Sequence, residues 1–352
     1  PTIPTNAQAE VGMAALSPLP TIAESSEFQA TATGAEVETF LRRLTSQWPE
    51  SELTSLGQTI EGRPIWAVVV EPQLAATEEV DEGTKTPEEE GASIPTTPST
   101  PLTVLMLGGI HAGECDGKEA LLALARDMAF TAPQEQWWRE VRLIFVPNFN
   151  ADANERRSPH HRPGQAGPVQ GMGLRENAQG LDLNRDFIKL ESPEVRSLVA
   201  AINQYDVDIL IDTHTTNGSL HQYQLTYDIP HNPATPRTID RWLRSELMPS
   251  VKDRMAEAGF SAFYYGNFDK EHRNWSTYGH EPRYSTEYMG LRGKIGILAE
   301  SYSYAPYRTR TAASHAFVRG ILQKVSENVQ AINSLLDQSA NERPAELPIR
   351  AA

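Results

Sequence analysis

The chain has 352 residues, 39% of them hydrophobic, a length that fits one large α/β domain or two smaller ones. Its formal net charge of −15 argues against nucleic acid and against an anionic membrane surface as partners. No apolar run approaches the roughly 20 residues needed to span a bilayer, and a single cysteine, Cys115, excludes an internal disulfide without fixing the compartment.

Residues 1–23 are rich in Pro, Ala, Ser and Thr without periodicity and are expected to form an N-terminal arm. The chain starts at Pro1 rather than Met, so we expect a processed form that has lost an export signal, and a periplasmic or secreted location, with the cytoplasm still open. Val37, Phe40, Leu41 and Leu44 have helical spacing, and "EGRPIWAVVVE" reads as a turn and a buried strand. Residues 72–101 hold seven acidic side chains against Lys85 alone and almost no core, which predicts a solvated surface insertion.

Strands and helices then alternate. "TVLMLGGI", "VRLIFVPNFN", "VDILIDTH" and "KIGILAES" read as strands. "GKEALLALARDMAF" and "SPEVRSLVAAINQY" read as helices, the second with Ser192 placed to cap and Pro193 at its first position, where the missing N–H costs nothing. "TPRTIDRWLRSELMPSVKDRMAEAG" is mostly helix, and "AASHAFVRGILQKVSENVQAINSLL" predicts one long closing helix. Residues 337–352 read as a tail. Near-continuous apolar strands between helices predict a single α/β domain over 24–336, with a mixed, largely parallel twisted sheet and helices on both faces.

Ligands of such sheets gather at the carboxyl ends of the strands. Three strands there run into ionisable residues: His111 and Glu114 after the first, His214 after another, Glu300 at the last. Two histidines and one glutamate are a ligand set of catalytic zinc that leaves a position for water, and Glu300 would then be free to serve as general base. Each residue has a bland alternative, since His-x-x-Glu recurs by chance and a lone histidine or glutamate at a strand end is most often structural. Their joint placement favours one site with one Zn2+.

The segment between them contains Arg175 and the run "GLDLNRDF" (180–187). With "HAGE", "DTH" and "ILAE" in the same order, the chain resembles the zinc carboxypeptidase family, the carboxypeptidase A-like metallopeptidases, over about residues 24–335. The resemblance implies His111, Glu114 and His214 as zinc ligands and Glu300 as the catalytic glutamate. It implies Asn184 and Arg185 as the pair that grips the C-terminal carboxylate of a peptide, for which a planar guanidinium is suited. It also implies Asp182 as the carboxylate that orients the first zinc histidine, and Tyr278 as the tyrosine that closes over substrate. Arg175 matches the arginine that stabilises the oxyanion, with Arg157 and Arg162 of the same loop as rivals. Gly113 departs from the best-known members, which carry an arginine between the first ligands. Arg283 or Arg292 would suit an acidic terminal side chain if either pointed inward. The expected activity is therefore a metallocarboxypeptidase acting on peptides with a free C-terminal carboxylate. The alternatives are an N-acyl amino acid deacylase like the aspartoacylase and succinylglutamate desuccinylase group, or a catalytically silent binding protein. Oligomeric state is not readable from the sequence.

Overall fold

The computed structural model describes residues 19–73, 101–132 and 135–343. In chain order these fold as α1 (Ile22–Ser25), α2 (Gly34–Thr45), β1 (Ser51–Gln58), β2 (Pro64–Val70), β3 (Leu102–Gly108), α3 (Asp116–Ala129), β4 (Val141–Val146), α4 (Ala151–Glu155), α5 (Pro193–Gln204) and β5 (Ile209–Thr215). There follow β6 (Leu225–Asp228), α6 (Arg237–Trp242), α7 (Met248–Glu257), β7 (Ala262–Tyr264), β8 (Asn267–Phe268), β9 (Trp275–Ser276), α8 (Ser285–Leu291), β10 (Ile295–Ser301), α9 (Tyr307–Ser326) and α10 (Val329–Asn341).

Eight strands form one mixed sheet in the order β1-β2-β4-β3-β5-β10-β6-β7, while β8 and β9 make a separate ribbon. The central block β4-β3-β5-β10 is parallel. Its strands are apolar at almost every position because both faces are covered. Val104, Met106, Ile209, Ile211, Ile295 and Ile297 enter one core, shared with Leu121, Phe317 and Ile321 from α3 and α9. Their neighbours Leu105, Leu107 and Leu210 enter a second core with Val195 and Leu198 of α5. Alternation along each strand thus feeds two cores from one sequence run.

The structure corrects several boundaries. Leu19 and Ala23, expected in an arm, are buried. Thr21 caps α1 in a capping box, and the Glu119 carboxylate accepts from the N–H groups of Ala23 and Ala32 and the Thr31 hydroxyl. Residues 19–23 are therefore part of the domain, and residues 1–18 lie outside the described residues. The expected single closing helix is two. Asn328 begins α10 and turns its side-chain amide back to the Lys324 carbonyl at 2.7 Å, a local bond that competes with the helical ladder. α10 carries helix into the expected tail as far as Asn341, and the Ser339 hydroxyl donates to the Gly293 carbonyl. Nearly all of the acidic segment 72–101 lies outside the described residues.

Candidate active site and metal centre

Sheet register brings the functional residues together. Gly108 at the end of β3 pairs with Thr213 of β5, and His214 of β5 pairs with Glu300 of β10. Three adjacent parallel strands thus end side by side. The turn after β3 closes with the Glu114 N–H donating to the His111 carbonyl at 2.9 Å, which folds both side chains toward β5.

His111 Nδ1 lies 3.2 Å from Glu114 Oε1, and His214 Nδ1 lies 2.9 Å from Glu114 Oε2. One ligand atom from each of the three falls within 4.8 Å of the others, and all three residues are buried. The other ring nitrogens are held from behind. His111 Nε2 is 3.0 Å from Asp182 Oδ1, and His214 Nε2 is 3.0 Å from Asp212 Oδ2. That arrangement directs a proton to Nε2 and leaves the Nδ1 lone pairs facing a common point, as metal-bound histidines require. Burial opposes the charge on Glu114, but His111 and Arg162 beside it hold its carboxyl well below the usual range. The donor set therefore fits a single Zn2+.

These residues line a cleft of about 270 Å³ that Glu300, Asn184, Arg185, Tyr265 and Tyr278 also enter. Burial, reinforced by the like charge of Glu114, pushes Glu300 up to about 7 against the pull of His214 and His111. Arg185 donates to the Asn184 carbonyl at 2.8 Å and stacks 4.5 Å over the Tyr284 ring, leaving the rest of its guanidinium to the cleft. Asn184 Oδ1 accepts from the Ser285 N–H at 2.9 Å.

The three loop arginines separate by their partners. Arg157 points away, donating to the carbonyls of Asn154 and Thr31. Arg162 spends its donors on Gln165 Oε1, Glu114 Oε1 and the carbonyls of Thr215 and Thr216. Arg175 grips Asp182 Oδ2 through Nε and Nη2, and its Nη1 lies 3.2 Å from His111 Nδ1. Tyr278 packs against His231 and Tyr284, and its hydroxyl is buried with no hydrogen-bond partner among the described residues. Neither Arg283 nor Arg292 lines the cleft: the first donates to the Tyr284 hydroxyl, the second to Tyr288 and Asn203. Cys115 is buried, and burial pushes its thiol up to about 11. Sequence reading missed Asp212, Tyr265 and the contact of Arg162 with Glu114. Asp212 had a signal, because it sits two residues before His214 and so on the same face of β5.

Two histidines and a glutamate lie on one ion's footprint, each histidine backed by a carboxylate and with a further glutamate beside them, which is the donor make-up of a zinc centre. The zinc carboxypeptidase family model matches residues 37–287, and the chain belongs to that family of metallopeptidases. It is 31% identical over 188 residues to carboxypeptidase D of Mus musculus, covering 49% of this chain and 12% of that protein. It is 31% identical over 164 residues to carboxypeptidase E of Caenorhabditis elegans, covering 45% and 30%. The matches thus span less than a third of those relatives' length. Among solved structures, the metallo-carboxypeptidase from Burkholderia cenocepacia superposes with a TM-score of 0.57 at 20% identity, covering 83% of this chain and 69% of that one. The metallo-carboxypeptidase from Pseudomonas aeruginosa, in complex with (2-guanidinoethylmercapto)succinic acid, gives 0.56 at 16%, covering 85% and 69%. They share the fold.

Proposed function

We propose that the chain is a zinc-dependent metallocarboxypeptidase that hydrolyses the last peptide bond of a peptide. The observation that carries the reading is the meeting of His111, Glu114, His214 and Glu300 in one cleft with the Arg185 guanidinium. His111, Glu114 and His214 would hold the ion. Bound there, Zn2+ supplies Lewis acidity that makes water a nucleophile near neutral pH and polarises a carbonyl.

The chain's own residues do the rest. Arg185 grips the terminal carboxylate, and its stacking on Tyr284 fixes the plane of the fork. Asn184 lines the cleft beside Arg185, and its Oδ1 accepts from the Ser285 N–H at the start of α8. Arg175, oriented by Asp182, offers Nη1 to the oxygen that gains charge when the carbonyl is attacked. Glu300 takes a proton from the attacking water and returns it to the leaving nitrogen as the C–N bond breaks, so no proton is gained or lost overall. Tyr278 forms a wall of the cleft.

A panel of peptides with free and amidated C-termini tests this reading, with N-acyl amino acids in the same panel to test a deacylase. We expect cleavage only of free-acid peptides, loss on chelation, and a fall of at least a hundredfold in Glu300→Gln with zinc content retained. Arg185→Met should erase the preference for the free acid. Equal turnover of amidated peptides by the wild type would exclude a carboxypeptidase, and turnover of acyl amino acids alone would make it a deacylase.

A further inference from the structure

Asn217 and Gly218 form the one Asn-Gly pair in the sequence, just beyond the end of β5. Asn217 lines the cleft together with Glu114, Glu300 and Tyr265. It is exposed, whereas Thr215 and Thr216 before it are buried. A turn explains the glycine. Gly218 has a φ of +98°, where a side chain would be strained, and a Cβ there would stand 2.7 Å from Asn267 Oδ1. A turn does not explain why the residue before it is asparagine.

Asparagine is chemically labile, and most so before glycine, because no side chain shields the next backbone nitrogen from the amide carbon. Two further conditions favour the reaction: a side-chain amide that is free, and a following N–H that is unbonded. Both hold here. Neither the Asn217 side chain nor the Gly218 N–H has a hydrogen-bond partner among the described residues. The bonds around them use other atoms. The Thr216 N–H donates to the Ser301 carbonyl, the Tyr304 hydroxyl to the Gly218 carbonyl at 3.0 Å, and the Ser219 N–H to Asn267 Oδ1. Asn150, Asn154 and Asn177 are the opposite case. Each is buried, held at both ends of its amide, and followed by a residue other than glycine.

We propose that Asn217 is a site of self-modification, at which the cleft acquires a carboxylate and turns from acidic toward basic peptides. The Gly218 nitrogen, giving up its proton to hydroxide, attacks the side-chain carbonyl carbon of Asn217. The amide nitrogen leaves as ammonia, and a five-membered imide joins the two residues. Water then opens the imide at either carbonyl and leaves aspartate or isoaspartate. One water is consumed and one ammonia released, with no oxidant or reductant. The new charge adds to those of Glu114 and Glu300 on the same wall, so an acidic peptide is disfavoured there and a basic one favoured. The consequence for substrate rests on the carboxypeptidase reading of the cleft; the conversion itself does not.

The test ages the full chain, loaded with zinc, at neutral and at mildly alkaline pH. Peptide mass mapping should show NH exchanged for O at Asn217 ahead of every other asparagine, and faster at the higher pH because the attacking nitrogen must lose a proton. In the same samples the ratio of kcat/KM for a Lys-rich peptide to that for its Glu-rich counterpart should climb by about fivefold, the effect of one exposed charge pair. High salt should shrink the change. Asn217→Asp should show the shifted ratio from the start. Asn217→Gln, whose longer side chain closes a ring far more slowly, should hold its ratio throughout. An Asn217 that stays intact while an unfolded peptide of the same sequence converts would overturn the proposal, because the fold would then protect it. So would an unchanged ratio in both the converted protein and Asn217→Asp. If neither peptide is hydrolysed, the carboxypeptidase reading fails instead, and calorimetry of the two peptides with fresh and aged protein reads the same preference without turnover: a shift supports the proposal and equal binding overturns it.

Discussion

Gly113 and Arg162 account for each other. A Cβ at position 113 would stand 2.8 Å from the Gly173 carbonyl oxygen and 2.9 Å from Arg162 Cδ, closer than real contacts allow, so glycine there is what lets the arginine lie flat against Glu114. Where the best-known family members have an arginine between the first two ligands, this chain brings one in from a loop. Its guanidinium clamps the Glu114 carboxylate to the carbonyls at the end of β5. Partners of this kind are typically worth about 10–100-fold in metal affinity. Arg162→Met should therefore weaken zinc binding by about that factor in a chelator competition. Gly113→Ala should do the same by displacing the arginine, and the double variant should lose less than the sum. Full affinity in both single variants would make the contact incidental. His231 offers a second residue-scale test. Burial favours its neutral form, yet Glu287 at 3.0 Å and Asp228 at 3.8 Å keep the proton on, with His280 the next ring outward, and the group is pushed up to about 9. Because the folded value lies above the ordinary 6.5, its stabilisation is complete below pH 6.5 and disappears as pH rises through about 9. Melting of the wild type should fall across that window relative to His231→Gln, whose curve should lack this component. Parallel curves would show that the imidazole is not charged in the fold.

At the scale of elements, one buried carboxylate joins the strand ends that carry the site. Asp116 opens α3, and its Oδ2 accepts from the Thr215 hydroxyl at 2.6 Å, the Ser301 hydroxyl at 2.7 Å and Arg310 Nε at 2.9 Å. Thr215 follows His214 and Ser301 follows Glu300, so α3 and α9 fix β5 and β10 against one another from behind the cleft. Arg310 also donates to the carbonyls of Ala166 and Gly167, which pins the loop that bears Arg162. Removing one partner of a fully buried pair strands the other charge, at a cost of about 3–5 kcal/mol. Arg310→Met should lower the urea midpoint accordingly, and adding Asp116→Leu should recover much of the loss. No recovery would mean that the hydroxyl contacts, rather than the charges, hold the junction. None of this is legible in the sequence, because the partners are 194 residues apart and neither stands in a motif. The strands β3, β4, β5 and β10 were legible, since burial on both faces leaves long apolar runs. The edge strand β1 was not: its side chains are half-buried or exposed, and "SELTSLGQ" carries no apolar run.

For the whole molecule, the sheet explains why the site could be read at all. A parallel block buried on both sides permits polar residues only where its strands stop, so an ionisable residue directly after an apolar run is already placed at the rim. His111 and Glu300 met that condition, and Glu114 and His214 follow within a few residues of such a run. Arg162 and Tyr265 sit on irregular segments whose approach to the rim is set by packing, and periodicity carries no trace of them. The same architecture ties stability to the metal. The triad draws on the ends of β3 and β5, elements far apart in sequence, so an ion there binds the folded chain and has no comparable site in the unfolded one. Linkage then adds about 4 kcal/mol of stability when free zinc stands at a thousand times its dissociation constant. Scanning calorimetry should show a melting temperature that climbs with zinc and drops on chelation. In His214→Ala both responses should vanish, and the metal-free variant should melt below the metal-free wild type, because loss of the imidazole leaves the buried carboxylates of Asp212 and Glu114 without their partner. A zinc response that survives His214→Ala would place the third ligand elsewhere.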